Sequence, residues 1–304
     1  MSLEEKIAVQ VDGRTLTLTN LAKVLYPATG FTKAEVLTYY QQVAPVLLPH
    51  IAGRPLTLKR YPDGVDGEAF FAKHAPAHRP DWIRTVRVDS RSSRARGENV
   101  TYLVVEDLAA LIWVANLAGL ELHAPMWRLP ADGGVPDGPE REPDLLVFDL
   151  DPGLPATIVE CSQVALALRP LLQADGLEPH PKTSGGKGMQ LYARIEGMTA
   201  EAASDLAKGY AERLERDQPR LVTSRMTKAL RTGKVFIDWS QNNGKKTTVA
   251  PYSLRARERP TVSTPVSWDE VAACGEPADL TFTAEDVPAR ITGMGDLFAP
   301  LIAP

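Results

Sequence analysis

Two acids stand two residues apart at the end of an apolar run, Leu145-Leu146-Val147-Phe148-Asp149-Leu150-Asp151-Pro152. Residues two apart on a strand point to the same face. Asp149 and Asp151 are therefore expected side by side where a buried strand ends. Adjacent carboxylates repel one another and resist burial, and a bound cation relieves both penalties. Hard oxygen ligands of this kind suit Mg²⁺ or Mn²⁺. A strand running into an acidic, Pro-stopped turn explains the same pattern without a metal. A third acid repeats the context, because Val235-Phe236-Ile237 ends in Asp238. Three carboxylates bridging two metals have the chemistry to align a 3′-hydroxyl, a triphosphate and a leaving pyrophosphate. The simpler reading of Asp238 is a strand-end cap.

Between the two acid-bearing runs lies Lys182-Thr183-Ser184-Gly185-Gly186-Lys187-Gly188. Glycines let backbone N–H groups approach phosphate oxygens closely, and Ser184, Lys182 and Lys187 add donors and charge. The spacing is not that of a Walker A loop, which also needs a following helix. A plain hairpin turn accounts for the glycines equally well.

These residues need elements to hold them. Thr32 with Glu35 three residues on reads as a capping box. Val36, Tyr39, Tyr40, Val43 and Leu47 then recur at helical spacing, so a helix is expected over 32–48, weakened near its end by Pro45. Residues 54–61 alternate like a strand, and 102–122 read as a long, apolar, largely helical segment. Residues 129–143 hold four Pro and three Gly and mark a loop or internal boundary. A strand over 145–150, a helix over 158–172, and strands over 188–195 and 235–237 complete the pattern. Strands alternating with helices argue for an α/β or α+β fold.

Composition sets the outer bounds. The chain has 304 residues, 44% hydrophobic and 24% charged, with a formal charge of −4. That excludes wholesale disorder. No uncharged apolar stretch is long enough for a spanning helix, and the acidic N-terminus is not a secretory signal. Cys161 and Cys274 have no CxxC partner, which argues against a disulfide framework or thiolate zinc site and for a reducing cytoplasm. The near-neutral total hides a division. Residues 79–96 carry +4 and residues 220–259 carry +8, leaving −16 on the rest. Basic stretches on an acidic body suit a polyanion held on one side, although each run taken alone also reads as a solvated face.

At this point the residues resemble the polymerase domain of bacterial ATP-dependent DNA ligase D, a primase-polymerase of the archaeo-eukaryotic primase superfamily used in non-homologous end joining. The segments that carry the resemblance run nearly end to end: LTNLAKVLYPATGFTKAEVLTYY, GRPLTLKRYPDGVDGEAFFAKHAP, LLVFDLDPG, KTSGGKG, VFIDWSQN, KTTVAPYSLRAR, VSTPVSWDEV and DVPARI…GDLFAPL. The resemblance implies an α+β, two-lobed catalytic domain whose acids sit on an RRM-like mixed or antiparallel sheet. It implies one domain over 1–304, with an N-terminal lobe of about 1–128, a linker of about 129–143 and a catalytic core of about 144–304. No segment is left for ligase or phosphoesterase modules, so a stand-alone polymerase or an excised domain is expected.

Carried over by position, the resemblance makes Asp149, Asp151 and Asp238 the catalytic, metal-binding triad, with two Mn²⁺ (or Mg²⁺) per site. Ser184, Lys187, Gln190, Lys246 and Arg255 would bind the NTP or dNTP. Lys23 and Lys33 would hold the 5′-phosphate at a gap or double-strand break. Phe70 and Phe71 would stack on bases, with one expected to face the core and Phe71 the exposed one. His123 would lie near template and primer, or be a satisfied core histidine. An Arg-rich loop over 87–96 would help bring ends together. Ku and a separate ATP-dependent ligase are implied partners, with a cytoplasmic, nucleoid-associated location. The chain departs from the family pattern at Gln190, where the resemblance expects His. Gln donates a hydrogen bond but carries no charge, so weaker or altered nucleotide binding is expected. A second departure is Ala124-Pro125-Met126-Trp127-Arg128, where Pro-Trp follows the histidine more closely in the family. Two other functions compete: a catalytically weakened DNA-end-binding paralogue, and a haloacid dehalogenase-like phosphohydrolase suggested by the DxD strand. Asp151-Pro152-Gly153-Leu154 fits the latter poorly.

Overall fold

The computed structural model describes residues 6–89, 99–130 and 142–302. A first hairpin pairs β1 (Lys6–Val11) with β2 (Arg14–Thr19), and β3 (Val24–Tyr26) pairs with β4 (Phe31–Thr32). Thr32 then caps α1 (Lys33–Ile51). Its side chain accepts from Glu35 N–H while Glu35 closes the reciprocal bond, so the expected capping box is present. The helix outlasts expectation, carrying both Pro45 and Pro49 and burying Tyr39, Tyr40 and Leu47.

Next come β5 (Pro55–Arg60), β6 (Phe70–Ala72), β7 (Thr85–Asp89), β8 (Asn99–Val104), α2 (Leu108–Asn116) and β9 (Gly119–Ala124). Here the expected long helix over 102–122 is corrected: it is a strand, a nine-residue helix and another strand. Asp107 caps α2 by accepting from Ala110 N–H. Ala118 leaves the helix at φ 56, and a Cβ on Gly119 would sit 2.9 Å from the Val114 carbonyl. Apolar residues without helical periodicity suit a strand buried on both faces as well as a helix.

The remaining elements are β10 (Leu145–Pro152), α3 (Ile158–Ala174), β11 (His180–Thr183), β12 (Met189–Arg194), α4 (Ala200–Asp217), β13 (Val222–Thr223), β14 (Val235–Asp238), β15 (Thr248–Val249), α5 (Trp268–Ala273) and α6 (Asp286–Met294). A five-stranded mixed sheet runs β11-β12-β10-β14-β13, antiparallel except for β13 with β14. A second sheet runs β15-β9-β5-β8-β7, with β6 also on β5. The fold is α+β. Thr248 and Val249 pair with Ala124 and His123, so the late chain returns to the sheet built by the early chain. The expected linker falls mostly on 131–141, outside the described residues.

Two main cores follow the two sheets. One packs α1 and α2 on the β5–β9 sheet; the other packs α3 and α4 on the β10 sheet. Alternation along β10 decides what faces where. Leu146, Phe148 and Leu150 enter the helix-covered core, while Val147 joins a smaller cluster on the opposite face. Asp149 and Asp151 share that opposite face. No described helix is long and apolar enough to cross a membrane.

Candidate active site

Register brings the acids together. Asp149 on β10 lies directly opposite Asp238 on β14, and directly opposed residues share a face. Asp151 is one pleat further along. Ligand oxygens of Asp149, Asp151 and Asp238 all lie within 4.8 Å of one another, the one such acid, His or Cys cluster found among the described residues. Burial first, then the Asp151 and Asp238 charges, push the Asp149 carboxyl up to about 7, against a hydrogen bond from Gln190. Asp151 is raised by partial burial and by Asp238, while Arg231 pulls it down. Arg231 stacks its guanidinium 3.7 Å over the Phe236 ring, the residue paired with Asp151. Asp238 is held by its own chain: Ser240 N–H donates to Oδ1 at 3.1 Å and Gln241 Nε2 to Oδ2 at 2.9 Å.

Asp149 and Asp151 open onto a cleft of about 470 Å³. The glycine loop, which is the turn between β11 and β12, forms one wall. Ser184 Oγ accepts from the N–H groups of Gly186 and Gly188, both at 3.2 Å. Gly185 sits at φ +63, where a Cβ would meet Val262 and Arg255 at 2.7 Å. Arg255 donates to the Ser184 carbonyl at 2.5 Å and Thr261 to the Gly185 carbonyl at 2.6 Å, so the loop is braced from behind. Lys187 is exposed and lines the cleft with Ser184 and Arg255.

Lys182 departs from expectation. Its ammonium does not face a phosphate but is fully buried, donating to Gln190 Oε1, Ser263 Oγ and the Val249 carbonyl. Burial, and then Arg255, hold its pKa well below the usual lysine range. Gln190 lines the cleft floor and donates to Asp149. Lys246 reaches the Asp238 carboxylate indirectly, by donating to Ser240 Oγ, which in turn donates to Asp238.

On the far wall His123 bonds Glu121 Oε2 at 2.9 Å. Phe70 and Phe71 are both exposed, at 47% and 65%, which corrects the expectation that one faces the core. They lie on β6, a three-residue edge strand of which only Ala72 packs against the core. Phe71 is the more exposed, as expected, with its ring 6.3 Å from His123 and Lys59 Nζ 5.4 Å above it. Lys23 and Lys33 lie apart from the cleft. The Lys33 N–H donates to the Lys23 carbonyl; Lys23 pairs with Asp63 at 2.9 Å, while Lys33 is buried and donates to Thr19. Most of the Arg-rich loop, 90–98, lies outside the described residues.

The family model for the LigD primase-polymerase domain matches residues 32–298. The chain belongs to this family. It is 46% identical over 287 residues to the multifunctional non-homologous end joining protein LigD of Mycolicibacterium smegmatis, covering 94% of this chain and 36% of that protein. The bifunctional LigD of Bacillus subtilis is 32% identical over 282 residues, covering 92% and 43%. The chain thus spans less than half the length of these LigD relatives. A solved polymerase domain of Mycobacterium tuberculosis Ligase D in complex with DNA superposes with a TM-score of 0.87 at 46% identity, covering 95% of this chain and 99% of that one. Membership in the LigD primase-polymerase family implies a divalent metal and a nucleotide substrate, and the acid triad supplies matching ligands.

Sequence reasoning missed Glu121. This carboxylate is 2% exposed, bonds His123, accepts from Ala256 N–H at 3.1 Å and forms an ion pair with Arg255 Nε at 3.3 Å. Burial alone would raise its pKa; the His123 hydrogen bond, Arg255 and the Ala256 N–H bring it down to about 2. The available signal was Glu121-Leu122-His123, an acid two residues before a singled-out histidine on an apolar strand. Glu121→Ala is expected to cost about 3 kcal/mol in a urea melt at pH 7, because Arg255 and His123 lose their buried partner. With the folded pKa depressed, this stability is full above the unfolded value near ~4.3 and is lost as pH falls toward the folded value. A cost unchanged between pH 7 and pH 3 would contradict the assignment.

Proposed function

We propose that the chain is a DNA repair nucleotidyltransferase that adds ribonucleotides or deoxyribonucleotides to a 3′-hydroxyl at short gaps or broken ends. The observation that carries this reading is the acid triad, three carboxylates within 4.8 Å on one sheet face, two of which line a cleft walled by a glycine loop and basic side chains. The triad fits divalent cations. Among the described residues no Lys or Arg forms an ion pair with Asp149 or Asp151, and burial together with the neighbouring acids holds the Asp149 carboxyl up to about 7. Asp149, Asp151 and Asp238 would hold two Mn²⁺ or Mg²⁺ ions. When bound, such ions acidify an attacking hydroxyl and neutralise charge on the α-phosphate and the leaving pyrophosphate.

The chain's own groups do the rest. Ser184, Lys187 and Arg255 hold the triphosphate against the loop, with Arg257 at the rim. Ser240 and Gln241 fix the two Asp238 oxygens. Phe71 offers a flat face beside the Lys59 charge, which suits base stacking without sequence preference. Lys23 would exchange its exposed Asp63 partner for a 5′-phosphate, close to the Lys33 amide. The relatives' part in non-homologous end joining supports DNA ends as the substrate.

The test is primer extension on a short gapped duplex bearing a 5′-phosphate, with Mn²⁺ and with ribonucleotides and deoxyribonucleotides in separate lanes. Extension by the wild type and none by Asp149→Ala is expected. Tight, phosphate-dependent binding without extension would instead favour an end-binding protein. Binding of the same duplex should weaken roughly 10²- to 10³-fold between 50 and 200 mM salt, as for about four to six phosphate contacts. A flat salt dependence would rule out binding through the basic face.

A further inference from the structure

A single row of side chains crosses four strands on the face that carries the acids. Lys182 on β11 opposes Gln190 on β12, Gln190 opposes Asp149 on β10, and Asp149 opposes Asp238 on β14. Lys182 is fully buried and each of its three N–H bonds has an acceptor: Gln190 Oε1 at 2.6 Å, Ser263 Oγ at 2.6 Å and the Val249 carbonyl at 3.0 Å. An ammonium only donates. The Gln190 amide must therefore turn its oxygen toward Lys182 and its NH₂ toward Asp149, and Nε2 does donate to Asp149 Oδ1 at 2.9 Å. Tyr192 OH donates to the same Gln190 oxygen at 3.4 Å. Gln190 is 4% exposed and has spent its oxygen on the lysine and an N–H on the acid.

We propose that Gln190 is a positioning residue for Asp149, held in one orientation by Lys182, and that it does not contact the triphosphate. The inference rests on the reading of the triad as a metal site. Gln190 pins Oδ1 by donation and so fixes which carboxylate lone pairs face the cleft. Supporting groups behind metal ligands typically change metal affinity by about 10–100-fold when removed.

The test measures Mn²⁺ binding to the free protein by water-proton relaxation, alongside steady-state extension kinetics. Gln190→Ala is expected to weaken Mn²⁺ binding roughly tenfold and to lower kcat, with KM for the nucleotide within about twofold of wild type. Gln190→His should restore most of the Mn²⁺ affinity, because a neutral imidazole carries one acceptor and one donor nitrogen and can serve both neighbours. Lys182→Met is expected to match Gln190→Ala in Mn²⁺ affinity; the Gln190 variants carry the test if this buried change prevents folding. A raised nucleotide KM with unchanged Mn²⁺ affinity in Gln190→Ala would overturn the proposal. A wild type that binds no Mn²⁺, or an Asp149→Asn protein that binds it normally, would overturn the metal assignment itself.

Discussion

Asp149→Asn is expected to abolish nucleotide addition and to make the protein more heat-stable in the same measurement series. Loss of one carboxylate from a two-metal site removes several kcal/mol of transition-state stabilisation, roughly 10³-fold in rate or more. Stability moves the other way because the charge is held at a cost. Burial and two neighbouring acids raise the Asp149 carboxyl to about 7. A raised carboxylate binds its proton in the folded state over a window where the unfolded chain has released it. Stability therefore falls as pH rises from about 4 toward 7, and the penalty is complete above that. The asparagine has no charge to bury, so its advantage is small near pH 4 and grows to about 1–3 kcal/mol at pH 8. In metal-free calorimetry this is a rise of roughly 2–6 °C. Added Mn²⁺ should close the gap by stabilising the wild type alone. A variant less stable than wild type at pH 8 without metal would show that Asp149 contributes to the fold in its charged form.

Gly188→Ala carries the second largest expected effect. A Cβ on Gly188 would stand 2.2 Å from the Leu150 carbonyl and 3.2 Å from Pro152 Cδ. Leu150 lies between the two acids of β10 and opposite Met189, so the clash falls on backbone at the centre of the site. One strand must move, and with it the spacing of Asp149 and Asp151. The expected cost is about 3 kcal/mol or more, with extension lost. Gly209→Ala is the matched control. It lies within α4 with nothing inside 4 Å of its added methyl, and is expected to gain about 0.5–1 kcal/mol. A Gly188→Ala protein with wild-type melting temperature and activity would show that the strand pair has slack that the geometry denies.

The acids themselves were legible in the sequence. Period-2 alternation is a local property, so Asp149 and Asp151 could be placed on one face from their spacing, and the capping box at Thr32 and Glu35 likewise. The pairing of Asp149 with Asp238 was not, because register between strands far apart in sequence is set by tertiary packing. Lys182 shows the same limit. In sequence it is a cation beside a glycine loop; in the fold β11 turns it inward, where Gln190 across the hairpin and Val249 and Ser263 from two distant segments accept its bonds. The 102–122 segment was misread because a strand buried on both faces lacks the alternation that distinguishes it from a helix. Phe70 was misassigned because adjacent residues on a strand face opposite sides, but on this short edge strand the core contact is made by Ala72.

The bond from Lys182 to the Val249 carbonyl crosses from one sheet to the other, since Val249 pairs with His123. Across the cleft, Glu121 ties His123 to Arg255, and Arg255 grips the carbonyl of Ser184. The two walls are thus joined by a closed circuit of buried polar contacts. Swinging them apart would leave a buried ammonium short of an acceptor, at roughly 1–3 kcal/mol or more. Opening the cleft is therefore coupled to breaking the Lys182 bond to Val249, so its two walls are expected to move together rather than independently.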